Sequence, residues 1–164
     1  LLLALPRSLG GEGFCDIELN VEVMLSTSAR AIVGKSRVYI DILLSSPDGR
    51  RQVAIECQGK ASHGRAGDGL RDADRMTALQ AMGYDVLLLT HRQISDEDRF
   101  RAIVKAVCRM LDAEYRDKSS DEQRAETLLR SELFVDWTKL GVIDGKMPVR
   151  HKTARSWTAA VLSE

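Results

Sequence analysis

Two carboxylates and an amide in the first half of the chain have types and spacings that could bind a metal ion. Asp41 lies in the apolar run 38–44, and Glu56 lies in the apolar run 53–57. Gln58 follows Glu56 by two residues, so on a β-strand both side chains project from the same face. Carboxylate and amide oxygens are hard ligands, which favour Mg²⁺ or Mn²⁺ over Zn²⁺.

These side chains can meet only if the two apolar runs form adjacent strands. Both runs are rich in β-branched and aliphatic residues, and the intervening Ser-Ser-Pro-Asp-Gly has the composition of a turn. A hairpin centred between Asp48 and Gly49 pairs residues whose numbers sum to 97. Asp41 then opposes Glu56, with Cβ atoms about 4.5–5.5 Å apart. Two carboxylates at that distance in an apolar sheet repel each other unless a cation compensates their charge.

Two other interpretations of this pair stay open at the level of sequence. One of the two carboxyl groups could be protonated, which removes the repulsion without a cation. A register shifted by one residue would place Asp41 and Glu56 on opposite faces of the sheet. The spacing alone does not decide between these interpretations and the metal hypothesis.

Length and composition set limits on the class of protein. The 164 residues fit one α/β domain with a substantial core. The 24 basic and 24 acidic residues cancel, so any contact with nucleic acid must come from a local patch. The three cysteines are widely spaced without a C-x-x-C pair, which indicates reduced thiols of a cytoplasmic protein and no zinc site. The apolar run 1–5 is too short to span a membrane and lacks the basic start of a signal peptide.

The remaining pattern predicts the elements around the hairpin. A strand, a helix and a second strand in succession imply that the last strand is added in parallel by a right-handed crossover. Glu22 could reach the site only if the polar face of its strand lines a cleft. In chain order the predicted elements are the end of an apolar helix at 1–9, an alternating strand at 16–24, a loop at 26–36, the hairpin, a helix ending near residue 82, a strand at 85–90, a helix from 95 to about 115 with a capping box of Ser95 and Asp98, and a helix at 122–134.

This order of elements, with Asp41 on the second strand and Glu-x-Gln on the third, resembles the core of the PD-(D/E)xK nuclease superfamily. The runs VAIECQGKASH and DADRMTALQAMGYDVLLLT are similar, more narrowly, to the DUF559-like group of bacterial domains akin to very-short-patch-repair endonucleases. The similarity covers about residues 14–110. The positions that fall on the pattern of the group are Asp41, Glu56, Gly59, His63, Asp74, Arg75, Gly83 and Tyr84.

The resemblance implies an α/β fold with a restriction-endonuclease-like core, in which helices flank a mixed β-sheet (αβββαβ). We expect this core at residues 1–116, and an extra C-terminal helix and tail at 117–164 that pack on it or extend from it. The implied activity is metal-dependent hydrolysis of phosphodiester bonds in DNA or RNA. Asp41 and Glu56 would bind Mg²⁺ or Mn²⁺.

The resemblance also assigns roles to the residues around this pair. Gln58 stands where the superfamily usually has Lys and this group often has Asp. It could orient a water or complete the coordination, but it cannot act as a general base. Lys60 is close enough in sequence to reach back toward the site. His63 is a candidate general acid or base, or a phosphate contact. Asp74 would support the site from outside the ligand set.

Four basic residues close to the end of the hairpin form the local positive patch that the net charge conceals. They would contact phosphates, although a solvated helix face would have the same composition. These residues are Lys60, Arg65, Arg71 and Arg75. The rival class is a non-catalytic nuclease-like module that binds nucleic acid or a protein partner. Gln58 favours this rival, whereas the opposed carboxylates favour the enzyme.

Overall fold

The apolar runs of the sequence form a mixed sheet, which has four strands in the order β1-β2-β3-β4 within the residues that the structure describes. The structure is a computed structural model that describes residues 1–58 and 68–135, with only the backbone for 68–71. The first two pairings are antiparallel, and β4 runs parallel to β3. The strands are β1 (Ile17–Met24), β2 (Arg37–Ser45), β3 (Gln52–Gln58) and β4 (Asp85–Thr90).

Five helices accompany this sheet in the described ranges, together with a 3₁₀ turn at Arg7–Leu9. The second helix connects β3 to β4, as the predicted crossover requires. It packs against the first helix, and Ala78 and Leu79 on it are completely buried. The helices are α1 (Thr27–Val33), α2 (Asp68–Ala81), α3 (His91–Ser95), α4 (Glu97–Met110) and α5 (Ser120–Leu133).

The register of the β2–β3 hairpin is the one that the sequence predicts. Ile42 opposes Ile55 and Leu44 opposes Val53, so the paired numbers sum to 97. The turn is held by the Ser46 hydroxyl, which donates a hydrogen bond to Asp48 Oδ1 at 2.6 Å. The interpretation with a register shifted by one residue is therefore wrong.

The edge strand β1 contains a local irregularity close to Asp41. Asn20 has a φ of 53°, in the left-handed region that residues other than glycine seldom adopt. The paired residues on either side, Leu19 with Ile42 and Val21 with Ile40, share one register. The same register continued through Asn20 would place it opposite Asp41. The ladder is therefore interrupted at this point.

Segment 26–36 differs from its predicted loop, because it contains α1. Ser26 caps this helix by accepting a hydrogen bond from the Ala29 N–H, and Gly34 ends it with a φ of 71°. A helix of seven residues is too short to show a clear apolar period.

The predicted helices at 1–9 and at 95–115 also differ from the structure. The first is a single turn followed by the 3₁₀ turn, because Pro6 has no N–H to donate and Gly10 adopts a φ of 89°. The second corresponds to α4, which is capped by Asp96 accepting from the Arg99 N–H and ends at Met110, just before Asp112 with its φ of 54°, and not near residue 115. The short helix α3, which ends at residue 95, is absent from the prediction. The capping box belongs to Thr90 and Gln93 at the start of α3, so the predicted Ser95 start is wrong.

A buried network of charged side chains connects the N-terminal segment to α5. Lys118 is 8% exposed, and its Nζ lies 2.8 Å from Glu12 Oε1 and 2.7 Å from Glu126 Oε2. Arg130 Nε donates to Glu126 Oε1 at 2.6 Å. Burial acts to raise the pKa of Glu126, but the hydrogen bonds from Lys118 and Arg130 outweigh it and the pKa is lowered. Every carboxylate in this network therefore has a cationic partner.

Residues Leu1–Leu133 form one compact unit, which includes α5. The predicted boundary near residue 116 stays a prediction, since most of the segment 117–164 lies outside the described residues. None of the helices in the described ranges combines the length and apolar composition that a membrane span requires.

The charge network predicts a large effect for one lysine. Lys118→Met leaves Glu12 and Glu126 buried without their shared cation, so we expect a loss of about 3 kcal/mol in the free energy of unfolding. Urea denaturation at neutral pH would measure it. The matched control is Arg124→Met on exposed α5 surface, where an ion pair contributes only about 0.5 kcal/mol. Equal losses in the two variants would contradict the proposed role of Lys118.

Candidate functional site

Asp41 and Glu56 lie on neighbouring strands, at the end of the hairpin opposite its turn. The observed register, continued by one residue beyond the Ile42–Ile55 pair, places them opposite each other. The Cys57 N–H donates a hydrogen bond to Asp41 Oδ2 at 2.8 Å. The carboxylate of Asp41 therefore takes the place of a backbone acceptor where the ladder ends, and this bond holds it against β3.

Glu56 is the most unusual side chain of the sheet, because it is a carboxylate that is only 1% exposed. Its Oε2 lies 2.5 Å from Nη2 of Arg75, which reaches it from α2. Within the described part of the chain, neither carboxylate oxygen has a partner with the geometry of a hydrogen bond. The same holds for Nε of Arg75. A buried carboxylate normally accepts several hydrogen bonds. The described residues therefore satisfy only part of the hydrogen-bonding capacity of Glu56.

The environment of Glu56 changes its acidity. The pKa of Glu56 is raised to about 7, mainly by burial and to a smaller extent by the charges of Asp41 and Asp72, while Arg75 acts in the opposite direction. The sequence leaves open whether one of the two carboxyl groups is protonated. With a pKa of about 7, protonation of Glu56 would compete with a cation near neutral pH. A divalent cation would stabilise the ionised form.

A small cavity of about 140 Å³ borders this carboxylate. Since one water takes about 30 Å³ of liquid volume, the cavity has room for a cation with some of its waters. Its lining combines polar and charged residues with a smaller number of apolar ones. The lining residues are Glu56, Cys57, Gln58, Asp72, Arg75, Met76 and Leu88.

The side chains at this cavity fit a hard divalent cation better than a thiophilic one. Mg²⁺ typically takes only one or two carboxylates from a protein and keeps several waters. Among the described residues there is no group of three or more His, Cys, Asp or Glu side chains close enough to enclose a metal. The observation that fits a cation is the buried Glu56 carboxylate, which lines the cavity and has no partner with hydrogen-bond geometry among the described residues.

The structure brings some of the predicted site residues together. Gln58 is half-buried at the end of β3 and lines the same cavity as Glu56. Asp74 is exposed on α2, without a described contact to the cavity. Glu22 is exposed as well, and accepts hydrogen bonds from Tyr39 at 2.5 Å and Arg37 at 3.1 Å. Glu22 therefore belongs to the surface of β1 and β2.

The structure does not describe the side chains of four predicted site residues. Lys60, His63 and Arg65 lie outside the described residues, so their roles stay predictions. Arg71 lies on α2, where only its backbone is described.

Two features of the site are absent from the sequence prediction. Asp72 lines the cavity, and its Oδ1 lies 3.7 Å from Nη2 of Arg75. The spacing of three residues on a helix is the signal that could have identified this pair. The second feature is the contact of Arg75 with Glu56, which depends on how α2 packs on the sheet and has no signal in the local sequence.

Comparison of the chain with protein-family models, with curated proteins and with solved structures gives no match. The site must therefore be judged on its geometry and chemistry.

The raised pKa of Glu56 predicts an unusual dependence of stability on pH. Its pKa in the folded state, about 7, exceeds the ordinary value of 4.5. The folded state therefore binds the proton more tightly, and stability falls as pH rises through this window. Glu56→Gln removes the dependence. Relative to the unaltered protein, its free energy of unfolding should rise by about 2 kcal/mol between about pH 5 and about pH 8.

Glu22→Gln is the matched control for this measurement, which uses urea denaturation at several pH values. The hydrogen bonds from Tyr39 and Arg37 lower the pKa of Glu22 from its ordinary value of 4.5, so most of its titration lies below this pH window. The difference between the control and the unaltered protein should stay constant over the same pH range. A constant difference for Glu56→Gln as well would show that the buried carboxyl is not a titrating group.

Proposed function

We propose that this protein is a metal-dependent nuclease of the PD-(D/E)xK type, with a restriction-endonuclease-like core. The observation that carries the proposal is the carboxylate of Glu56, which is 1% exposed, has no hydrogen bond from the described residues and lines a polar cavity. Asp41 lies opposite it in the continued register of the hairpin and accepts a hydrogen bond from the Cys57 N–H, but it is not among the described residues that line the cavity. A charged group that is buried with so little compensation is costly, and functional sites are where such arrangements concentrate.

Asp41 and Glu56 are the residues that would hold Mg²⁺ or Mn²⁺. When bound, the cation would supply Lewis-acid polarisation of a phosphate and a bound water of lowered pKa. The chain itself contributes position: the hairpin fixes both carboxylates on adjacent strands, and the amide of Gln58 can orient a water by donating or accepting a hydrogen bond. Lys60 and His63 remain the candidates for a cationic group and for proton transfer.

The charges near the cavity support a substrate with phosphate groups. Arg75 is one-third exposed at the mouth of the cavity, with 34% of its side chain accessible. Lys60, Arg65 and Arg71 are the neighbouring basic residues in sequence. Since the net charge of the chain is zero, attraction of nucleic acid would depend on a local group of basic residues such as this one.

A second function is favoured by a specific observation. Arg75 already places a positive charge 2.5 Å from Glu56, so the carboxylate has some compensation without a metal. Gln58, in place of a lysine, removes a common catalytic group. A nuclease-like module that binds nucleic acid or a protein partner without cutting it would keep both features.

Cleavage separates these two functions. We expect the purified protein with Mn²⁺ to cut at least one member of a panel of single-stranded, duplex, mismatched and branched DNA and RNA. Glu56→Gln keeps the shape of the side chain but removes the charge that would hold the cation, so it should reduce the rate by about 100-fold or more. The readout is gel electrophoresis of end-labelled substrates.

The control for cleavage is Glu22→Gln, which alters a carboxylate outside the site and should leave the rate unchanged. Binding of nucleic acid without cutting, under either Mg²⁺ or Mn²⁺, would favour the non-catalytic module. In that case Gln58→Lys would reveal whether the third position alone has lost its catalytic group.

The basic residues predict the salt dependence of binding. Arg71→Ala should lower the slope of log affinity against log salt by about one unit, because one phosphate contact is lost. Arg50→Ala is the matched control, since Arg50 is exposed in the turn at the far end of the hairpin. Fluorescence anisotropy at several salt concentrations measures both slopes. Equal slopes in the control, the variant and the unaltered protein would contradict the assignment of Arg71.

A further inference from the structure

Arg75 lies close to the Glu56 carboxylate, where a bound metal cation would also have to lie in order to compensate the charge of Glu56. The guanidinium approaches the carboxylate from α2, with Nη2 2.5 Å from Oε2. The two partners differ in exposure, since the side chain of Glu56 is 1% exposed and that of Arg75 is 34% exposed. Arg75 therefore reaches a buried charge from a position that has access to solvent.

This ion pair is incomplete in its hydrogen bonding. An arginine and a carboxylate pair most strongly when two parallel N–H groups meet the two oxygens. Here the closest contact joins Nη2 to Oε2, and neither oxygen of Glu56 nor Nε of Arg75 has a partner with hydrogen-bond geometry among the described residues. The guanidinium therefore compensates the charge of Glu56 without the two parallel hydrogen bonds that orient such a pair most strongly.

A second partner for Arg75 lies on the same helix. Asp72 Oδ1 is 3.7 Å from Nη2 of Arg75, three residues earlier on α2, and its side chain is 32% exposed. Both carboxylates line the cavity. A rotation of the arginine side chain toward Asp72 would keep its charge paired while it leaves Glu56.

We propose that Arg75 is the resident counter-ion of Glu56, and that it exchanges with a divalent cation by moving onto Asp72. This inference rests on the proposed metal-binding function and deepens it. Two positive charges within about 4 Å of each other repel, so Glu56 binds either the guanidinium or the cation closely. Arg75 is thus a positioning residue, which keeps the site folded before the cation arrives and is released when it binds.

The test is a titration with Mn²⁺ alone, without nucleic acid, followed by calorimetry and by thermal unfolding. Arg75→Met removes the competing cation, so we expect its Kd for Mn²⁺ to be about tenfold lower than that of the unaltered protein. Its melting temperature without metal should be lower, and the increase on adding Mn²⁺ should be larger. Asp72→Asn removes the second partner, and its Kd should be about threefold higher.

Arg99→Met is the matched control, because Arg99 forms an exposed i, i+3 pair with Asp96 on another helix. Its Kd should equal that of the unaltered protein. A structural arginine would lower stability without improving affinity, so an unchanged or higher Kd in Arg75→Met overturns the exchange and leaves the proposed function intact. If Arg75→Met does not fold, an unchanged Kd in Asp72→Asn overturns the exchange. Absence of Mn²⁺ binding by the unaltered protein overturns the metal-dependent function, and the exchange with it.

Discussion

A carboxylate in the interior of the sheet is the constraint on which this fold and its candidate site depend. Residues 53–55 on β3 are completely buried, and Glu56 continues the strand with almost no exposure. An ionised group in such a position must be neutralised by its surroundings. Arg75 supplies that charge from α2, the helix that connects β3 to β4. The crossover is therefore joined to the sheet by an ion pair as well as by the packing of Ala78 and Leu79.

The described part of the chain contains two buried clusters of charged side chains, around Lys118 and around Glu56. They differ in how fully the buried carboxylates are compensated by cations and hydrogen bonds. Around Lys118 each carboxylate meets a cation at hydrogen-bond distance, and the pKa of Glu126 is lowered in spite of burial. Around Glu56 the carboxylate has one cation and no hydrogen bond from the described residues, and burial raises its pKa to about 7. In the first arrangement each carboxylate has a close cationic partner, which joins the N-terminal segment to α5. In the second the charge of the carboxylate is less fully compensated, and this difference is the reason for proposing a cation site at Glu56.

The sequence predicts the hairpin from its two apolar runs and the turn between them, and a loop centred between Asp48 and Gly49 gives the observed register. The alternative register, shifted by one residue, is excluded only by the structure. The sequence also predicts the parallel strand β4, since an apolar run after a helix has few alternatives. It does not predict α1 or α3, because helices of seven and five residues are too short to show an apolar period. The sequence also does not predict that Arg75 is the ion-pair partner of Glu56. Arg75 is predicted only as a phosphate contact, because the reach of a helical side chain onto a sheet is decided by tertiary packing.

The left-handed conformation of Asn20 has a consequence for how copies of this protein meet. Among the described strands β1 lies at the edge of the sheet, so its outer N–H and C=O groups have no neighbouring strand. Such an edge is a template on which another chain can continue the sheet. A residue with a φ of 53° leaves the extended conformation halfway along the strand, although the register is the same on both sides of it. An incoming strand would therefore meet an irregular position in the middle of this edge, and a regular ladder along its whole length would be less favourable.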